Sequence, residues 1–205
     1  MKKLLFLAIF LTVVLVSNTA LAVPVFYNSR AAFDAATGGG LNFESFENDF
    51  SVAATIAFTD FTVSETGGSN GLGQLRDFPW LVDGITDGTG ALVYDDNDNS
   101  IGTFFSFTSA ITAFGLDIAT NPGSTMTIGG SVSDTVVLAN NTASFWGVID
   151  FAGINSVTFS ASGGPNVGFD AVSYGNTAVP EPATMLLLGF GIIGLVGLGR
   201  KKFKK

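Results

Sequence analysis

The chain has 205 residues and a formal charge of −8, with no cysteine and no histidine. That composition excludes disulfides and thiolate chemistry, and it removes the usual base of serine hydrolases and the commonest zinc ligand. Charge is laid out unevenly: between residues 23 and 179 sixteen acids stand against two bases, Arg30 and Arg76, a formal −14. So acidic a region repels nucleic acid, whose phosphates call for Lys and Arg.

At the start, Lys2 and Lys3 precede an apolar run from Leu4 to Val16, and Ala20-Leu21-Ala22 places small residues where a signal peptidase reads. Residues 1–22 therefore read as a signal peptide, with cleavage by signal peptidase after Ala22 and an exported chain beginning at Val23. With both ends set aside, about 155 residues remain, the size of one domain. Its boundaries are drawn at 23–178.

The first element of that domain is a short helix. In NSRAAFDAATGGG, Asn28 or Ser29 supplies an N-cap, Ala31, Ala32, Ala35 and Ala36 propagate the turn, and Gly38 to Gly40 end it, with Phe33 as the core contact. Strands are predicted at Leu41 to Phe46, Ala57 to Ser64, Ala91 to Tyr94, Thr103 to Phe107, Ile111 to Ile118, Ser124 to Ile128, Val132 to Leu138, Phe145 to Ile149, Ser156 to Ser160 and Gly168 to Tyr174. Alternation in ITAFGLDIA turns Phe114, Leu116 and Ile118 inward and Asp117 outward. Val157, Phe159 and Ala161 alternate in the same way, whereas NVGFDAVSY leaves its inward face ambiguous. Ten short strands and one helix make an all-β fold, a β-sandwich. Jelly-roll topology is the commoner solution at this size, and periodicity alone does not separate it from an immunoglobulin-like one.

The chain closes with VPEPATMLLLGFGIIGLVGLGRKKFKK. Ala183 to Gly199 is a run of seventeen uncharged residues, and as a helix it would measure about 25 Å against a hydrocarbon core of roughly 30 Å. It is read as a C-terminal transmembrane helix in contact with membrane lipid. The basic cluster from Arg200 onward would stay cytoplasmic and leave the domain outside the cytoplasmic membrane. Pro180 and Pro182 fix their own φ and bias their predecessors away from helix, so Val179 to Pro182 reads as an extended strip that an enzyme can grip.

Pro180-Glu181-Pro182, the glycine-rich apolar stretch and the basic cluster opening at Arg200 together resemble the PEP-CTERM sorting signal of exopolysaccharide-producing Gram-negative bacteria. The resemblance covers residues 179 to 205. It implies that a membrane-embedded exosortase, a cysteine transpeptidase-like enzyme, removes the tail and releases or attaches the protein in the cell envelope. Residues 145 to 175, FWGVIDFAGINSVTFSASGGPNVGFDAVSYG, also resemble the closing strands of many PEP-CTERM ectodomains, which look like galactose-binding-like jelly rolls. That family often has a second polar residue after Phe-Asp, where this chain has Ala171.

The densest acidic cluster is Asp95-Asp96-Asn97-Asp98-Asn99, following the Ala91 to Tyr94 strand. Carboxylates and amide carbonyls in one loop suit Ca²⁺, although the central Gly and closing Glu of an EF-hand are missing. The family resemblance implies a structural calcium near the first and last strands, with Glu44 and Asp170 as alternative ligands. Trp80, in the loop-like LRDFPWLVDG, and Tyr94 are the candidate glycan contacts, because aromatic rings offer apolar area for a sugar face. Trp146, inside a strand, reads as core. Glu44, Glu47, Asp117 and Asp170 are the carboxylates that glycoside hydrolysis would have to pair, and no spacing pairs them. The chain is therefore read as a non-enzyme: an exported structural or adhesion protein of the envelope or extracellular matrix, with a calcium-assisted carbohydrate-binding module for exopolysaccharide as the alternative.

Overall fold

The structure, a computed structural model, describes residues 23–48, 51–66, 72–74, 90–94, 102–161, 163 and 165–178. Among these, eleven strands and one helix follow one another. The first five are β1 (Val25–Tyr27), α1 (Arg30–Thr37), β2 (Asn42–Glu44), β3 (Thr55–Ala57) and β4 (Phe61–Thr66). Then come β5 (Leu72–Gln74), β6 (Leu92–Tyr94), β7 (Gly102–Asn121), β8 (Ser124–Gly130), β9 (Asp134–Leu138), β10 (Ser144–Ala161) and β11 (Asn166–Gly175).

The two long strands organise the rest. The first limb of β7 pairs with β4 and with the second limb of β10, which continues to β8 and β9. The second limb of β7 pairs with the first limb of β10 and with β11, which continues to β6 and β2. β7 and β10 thus pass from one layer to the other, and the corner is made at exposed Thr108 to Ala110 and at a register shift between Ile149 and Ile154. Gly153, at φ 101, sits in that shift with Ala110 across from it, a backbone conformation that a side chain would strain. The strands expected at 103–107 and 111–118 are the two limbs of β7, and those at 145–149 and 156–160 are the limbs of β10. The result is an antiparallel sandwich resembling a jelly roll.

Its core lies between the layers and is aromatic. Phe105 meets Phe114 at 5.4 Å and Phe169 at 5.6 Å between ring centroids, Phe159 meets Trp146 at 5.5 Å, and Phe61 meets Tyr174 at 5.1 Å. Phe114, Leu116 and Ile118 are fully buried here, as the alternation predicts, and so are Val157 and Phe159. Without disulfides, this ring packing supplies much of the burial that stabilises the fold.

α1 covers the outer face of the second layer. Ser29 is its N-cap without a side-chain hydrogen bond, and Gly38, at φ 72, ends it with its amide donating a hydrogen bond to the Asp34 carbonyl. Phe33 is fully buried and forms a smaller cluster with Ala113 and Ile149, flanked by Tyr27, Leu41 and Phe145. Gly115 and Gly147, paired across β7 and β10, leave the floor bare for it. A Cβ at Gly147 would lie 2.8 Å from Phe145 Cζ and 2.9 Å from Phe33 Cδ2.

The expected C-terminal transmembrane helix requires correction. Among the described residues no helix is long and apolar enough to cross a membrane, and the one helix present has eight residues. Ala183 to Gly199 itself lies outside the described residues. The physical reason to abandon the span is in the sequence: a seventeen-residue run falls several ångströms short of the hydrocarbon core. The lipid contact and the topology with a cytoplasmic C-terminus fall with it.

Candidate functional site

The sequence-predicted site residues are distributed as follows. Trp80, the cluster Asp95, Asp96 and Asp98, and the motif residues Pro180, Glu181, Pro182 and Arg200 lie outside the described residues, as does the signal peptide at 1–22. Tyr94 closes β6, in register with Leu72 on one side and Val167 on the other. Glu44 and Asp170 are both described, and they are not brought together.

The register explains why. Asp170 stands opposite Asp117 on β7, on the outer face beneath α1. Glu44 stands opposite Val172, a core residue on the inner face, and its charge reaches the Tyr174 hydroxyl from that side. Each carboxylate also serves its own backbone: Glu44 Oε1 accepts from the Phe46 amide at 2.8 Å and Asp170 Oδ1 from the Ala171 amide at 2.7 Å. Phe46 and Ala171 both hold positive φ, 55° and 51°, so the two carboxylates brace turns that L-residues resist.

A cation does sit beside the last strand, and it is Arg30. Its guanidinium donates to the Ala171 carbonyl at 2.7 Å and to Ser173 Oγ at 3.2 Å, pairs with Asp117 at 3.2 Å, and lies 4.7 Å from the Phe145 ring centroid. Arg30 thus places a built-in positive charge on the Ala171 carbonyl, Ser173 Oγ and Asp117 beside the last strand. Among the described residues no group of three or more acidic side chains could hold a metal.

A different group of polar atoms gathers at the end of the sandwich where β6 stops. Tyr94, Val167 and Thr120 form one register row across β6, β11 and β7. Beyond Thr120 lies the turn before β10, where Asn140 bridges to Thr120 and the Asn141 amide donates to the Thr120 carbonyl at 2.9 Å. Thr120 Oγ1 and Asn141 Oδ1 are buried without a hydrogen-bond partner among the described residues. Buried oxygens of this kind are ordinarily satisfied, so they mark unspent hydrogen-bonding capacity. Sequence reading missed Thr120, Asn141 and Arg30; the one available signal was that Arg30 is among only two bases in the domain.

The other notable end is where the chain leaves the fold. The Thr177 amide donates to Thr112 Oγ1 at 2.9 Å, and its hydroxyl donates to the Thr37 carbonyl at 3.2 Å. A family profile described as the PEP-CTERM protein-sorting motif matches residues 178–201. This chain carries a PEP-CTERM sorting motif. It begins at the residue after the Thr177 anchor.

No curated protein matches the chain. Among solved structures it is similar to the K2 cleaved adhesin domain of Lys-gingipain, at 12% identity over 65% of this chain and 98% of that one, TM-score 0.45. It is also similar to TmCBM61 in complex with β-1,4-galactotriose, at 12% identity over 55% and 86%, TM-score 0.41. A third is CpGH89CBM32-6 produced by Clostridium perfringens, at 16% identity over 56% and 92%, TM-score 0.32. At these scores the similarities say nothing of what this chain binds.

Proposed function

We propose that this is an exported protein of the cell envelope or extracellular matrix, handled by an exosortase-type enzyme at its C-terminal sorting motif, whose sandwich binds neutral carbohydrate without catalysing its cleavage. Export and sorting are supported by the motif. The binding role is proposed for the sandwich end at β6, where Tyr94 closes the strand in register with Val167, itself opposite Thr120. Aromatic residues suit a sugar's apolar face, and the sugar's hydroxyls donate to and accept from polar groups at such an end. Trp80 and the Asp95, Asp96 and Asp98 loop flank β6 in sequence and are proposed as further contacts, the loop as the place for calcium if any is used. The surplus of acids disfavours an anionic polysaccharide and points to a neutral one. Adhesion to matrix follows from binding.

The test is a neutral-glycan array probed with the secreted protein and with its Trp80→Ala variant, each with and without chelator. Trp80→Ala removes the proposed stacking ring, so its glycan signal is expected to fall at least fivefold. Absence of binding by the parent in both conditions would overturn the reading; loss of binding only with chelator would show that the binding needs a divalent cation, the role proposed for the Asp95 loop.

A further inference from the structure

The sorting motif has almost no tether. Thr177 is held by two hydrogen bonds to Thr112 and Thr37, and the motif opens at residue 178. Pro180 is three positions after Thr177 and Pro182 five, spans that even fully extended reach about 10 Å and 17 Å. A domain of this size has a radius of gyration near 15 Å. A protein that grips Pro180 to Pro182 therefore cannot stand clear of the sandwich.

We propose that the surface around this exit is a contact face for the protein that reads the sorting motif, and that the Thr177 latch sets the spacing. The inference rests on the sorting reading. The exit face is built from Thr37, the exposed loop Gly38 to Gly40, and β2. All three glycines have positive φ and open space where a side chain would be, leaving the backbone bare for close approach. On β2, Phe43 stands opposite Ser173, four residues before Thr177, and exposes 54% of its surface. An exposed ring this near the exit is apolar area for a partner to cover.

The experiment follows the full-length chain in cells that possess the processing enzyme, timing loss of the C-terminal peptide by mass spectrometry after a pulse of synthesis. Four chains are compared: the parent, Phe43→Arg, a ten-residue Gly/Ser insertion between Thr177 and Ala178, and both changes together. Phe43 is exposed, so its replacement leaves the fold intact, which thermal unfolding checks. At native spacing Phe43→Arg is expected to slow processing at least fivefold, and with the insertion less than twofold, because a longer tether lets the partner grip the motif without touching the domain. Equal rates for parent and Phe43→Arg at native spacing would overturn the contact face, and so would a slowing that persists with the insertion. A parent chain that is never processed would overturn the sorting reading itself and the contact face with it.

Discussion

Arg30 illustrates how much one side chain decides here. Its guanidinium joins the helix to β7 through Asp117 and to β11 through Ala171 and Ser173, residues more than 80 positions away in the chain. Full burial of such a pair would make its rupture worth about 3–5 kcal/mol. Side-chain exposures of 28% for Arg30 and 13% for Asp117 reduce that through solvent screening, so Arg30→Met is expected to cost about 2 kcal/mol in urea unfolding, most of it from the partners left unpaired. A loss under 0.5 kcal/mol would show the contact to be incidental. Tyr174 offers a second measurement at this scale. Its hydroxyl is pushed up to about 12 by burial first, then by the charge and the hydrogen bond of Asp60, then by the charge of Glu44. The unfolded chain releases that proton near 10, so the folded state alone retains it between about 10 and 12. Stability from this group is whole below pH 10 and is lost as pH rises through 12. Ultraviolet titration of Asp60→Asn should bring the Tyr174 midpoint back toward 10; an unchanged midpoint would remove Asp60 as a cause.

At the scale of elements, α1 acts as a lid on the second layer. Phe33 fills the space left by Gly115 and Gly147, so Phe33→Ala should destabilise the domain by about 3–5 kcal/mol, measured by denaturant unfolding, with a fall below 1 kcal/mol contradicting the packing described. Both the helix and this contact were legible in the sequence, because Ser29, the alanines and the glycine stop all act within a few residues of one another. The inward faces of β7 and β10 were legible for the same reason, as strict alternation over five or more residues. β11 was not. Its register shift between Asp170 and Ser173 inserts one residue, so Val167 and Phe169 before it and Val172 and Tyr174 after it all face the core despite their opposite parity. The bent strands β7 and β10 were split in the reading, since the exposed corner at Thr108 to Ala110 looks like a turn. β1 and β5, three residues each, were missed because so short a run carries no period. The buried oxygens of Thr120 and Asn141 could not be found at all: their burial depends on β7 meeting the turn before β10.

For the whole molecule, the division between acidic sandwich and basic tail follows from composition alone, whereas the closeness of the two is a property of the fold. The last strand ends at Gly175, Thr177 is latched, and the sorting motif starts at once. A sandwich stabilised by its own aromatic core does not need the tail, which makes removal of the tail compatible with a working protein. The most direct test is the intact mass and C-terminal peptide of the protein recovered from the envelope of cells that possess the processing enzyme. The account predicts a chain that begins at Val23 and ends within the motif between residues 178 and 182. Recovery of a chain that still extends to Lys205 would contradict it.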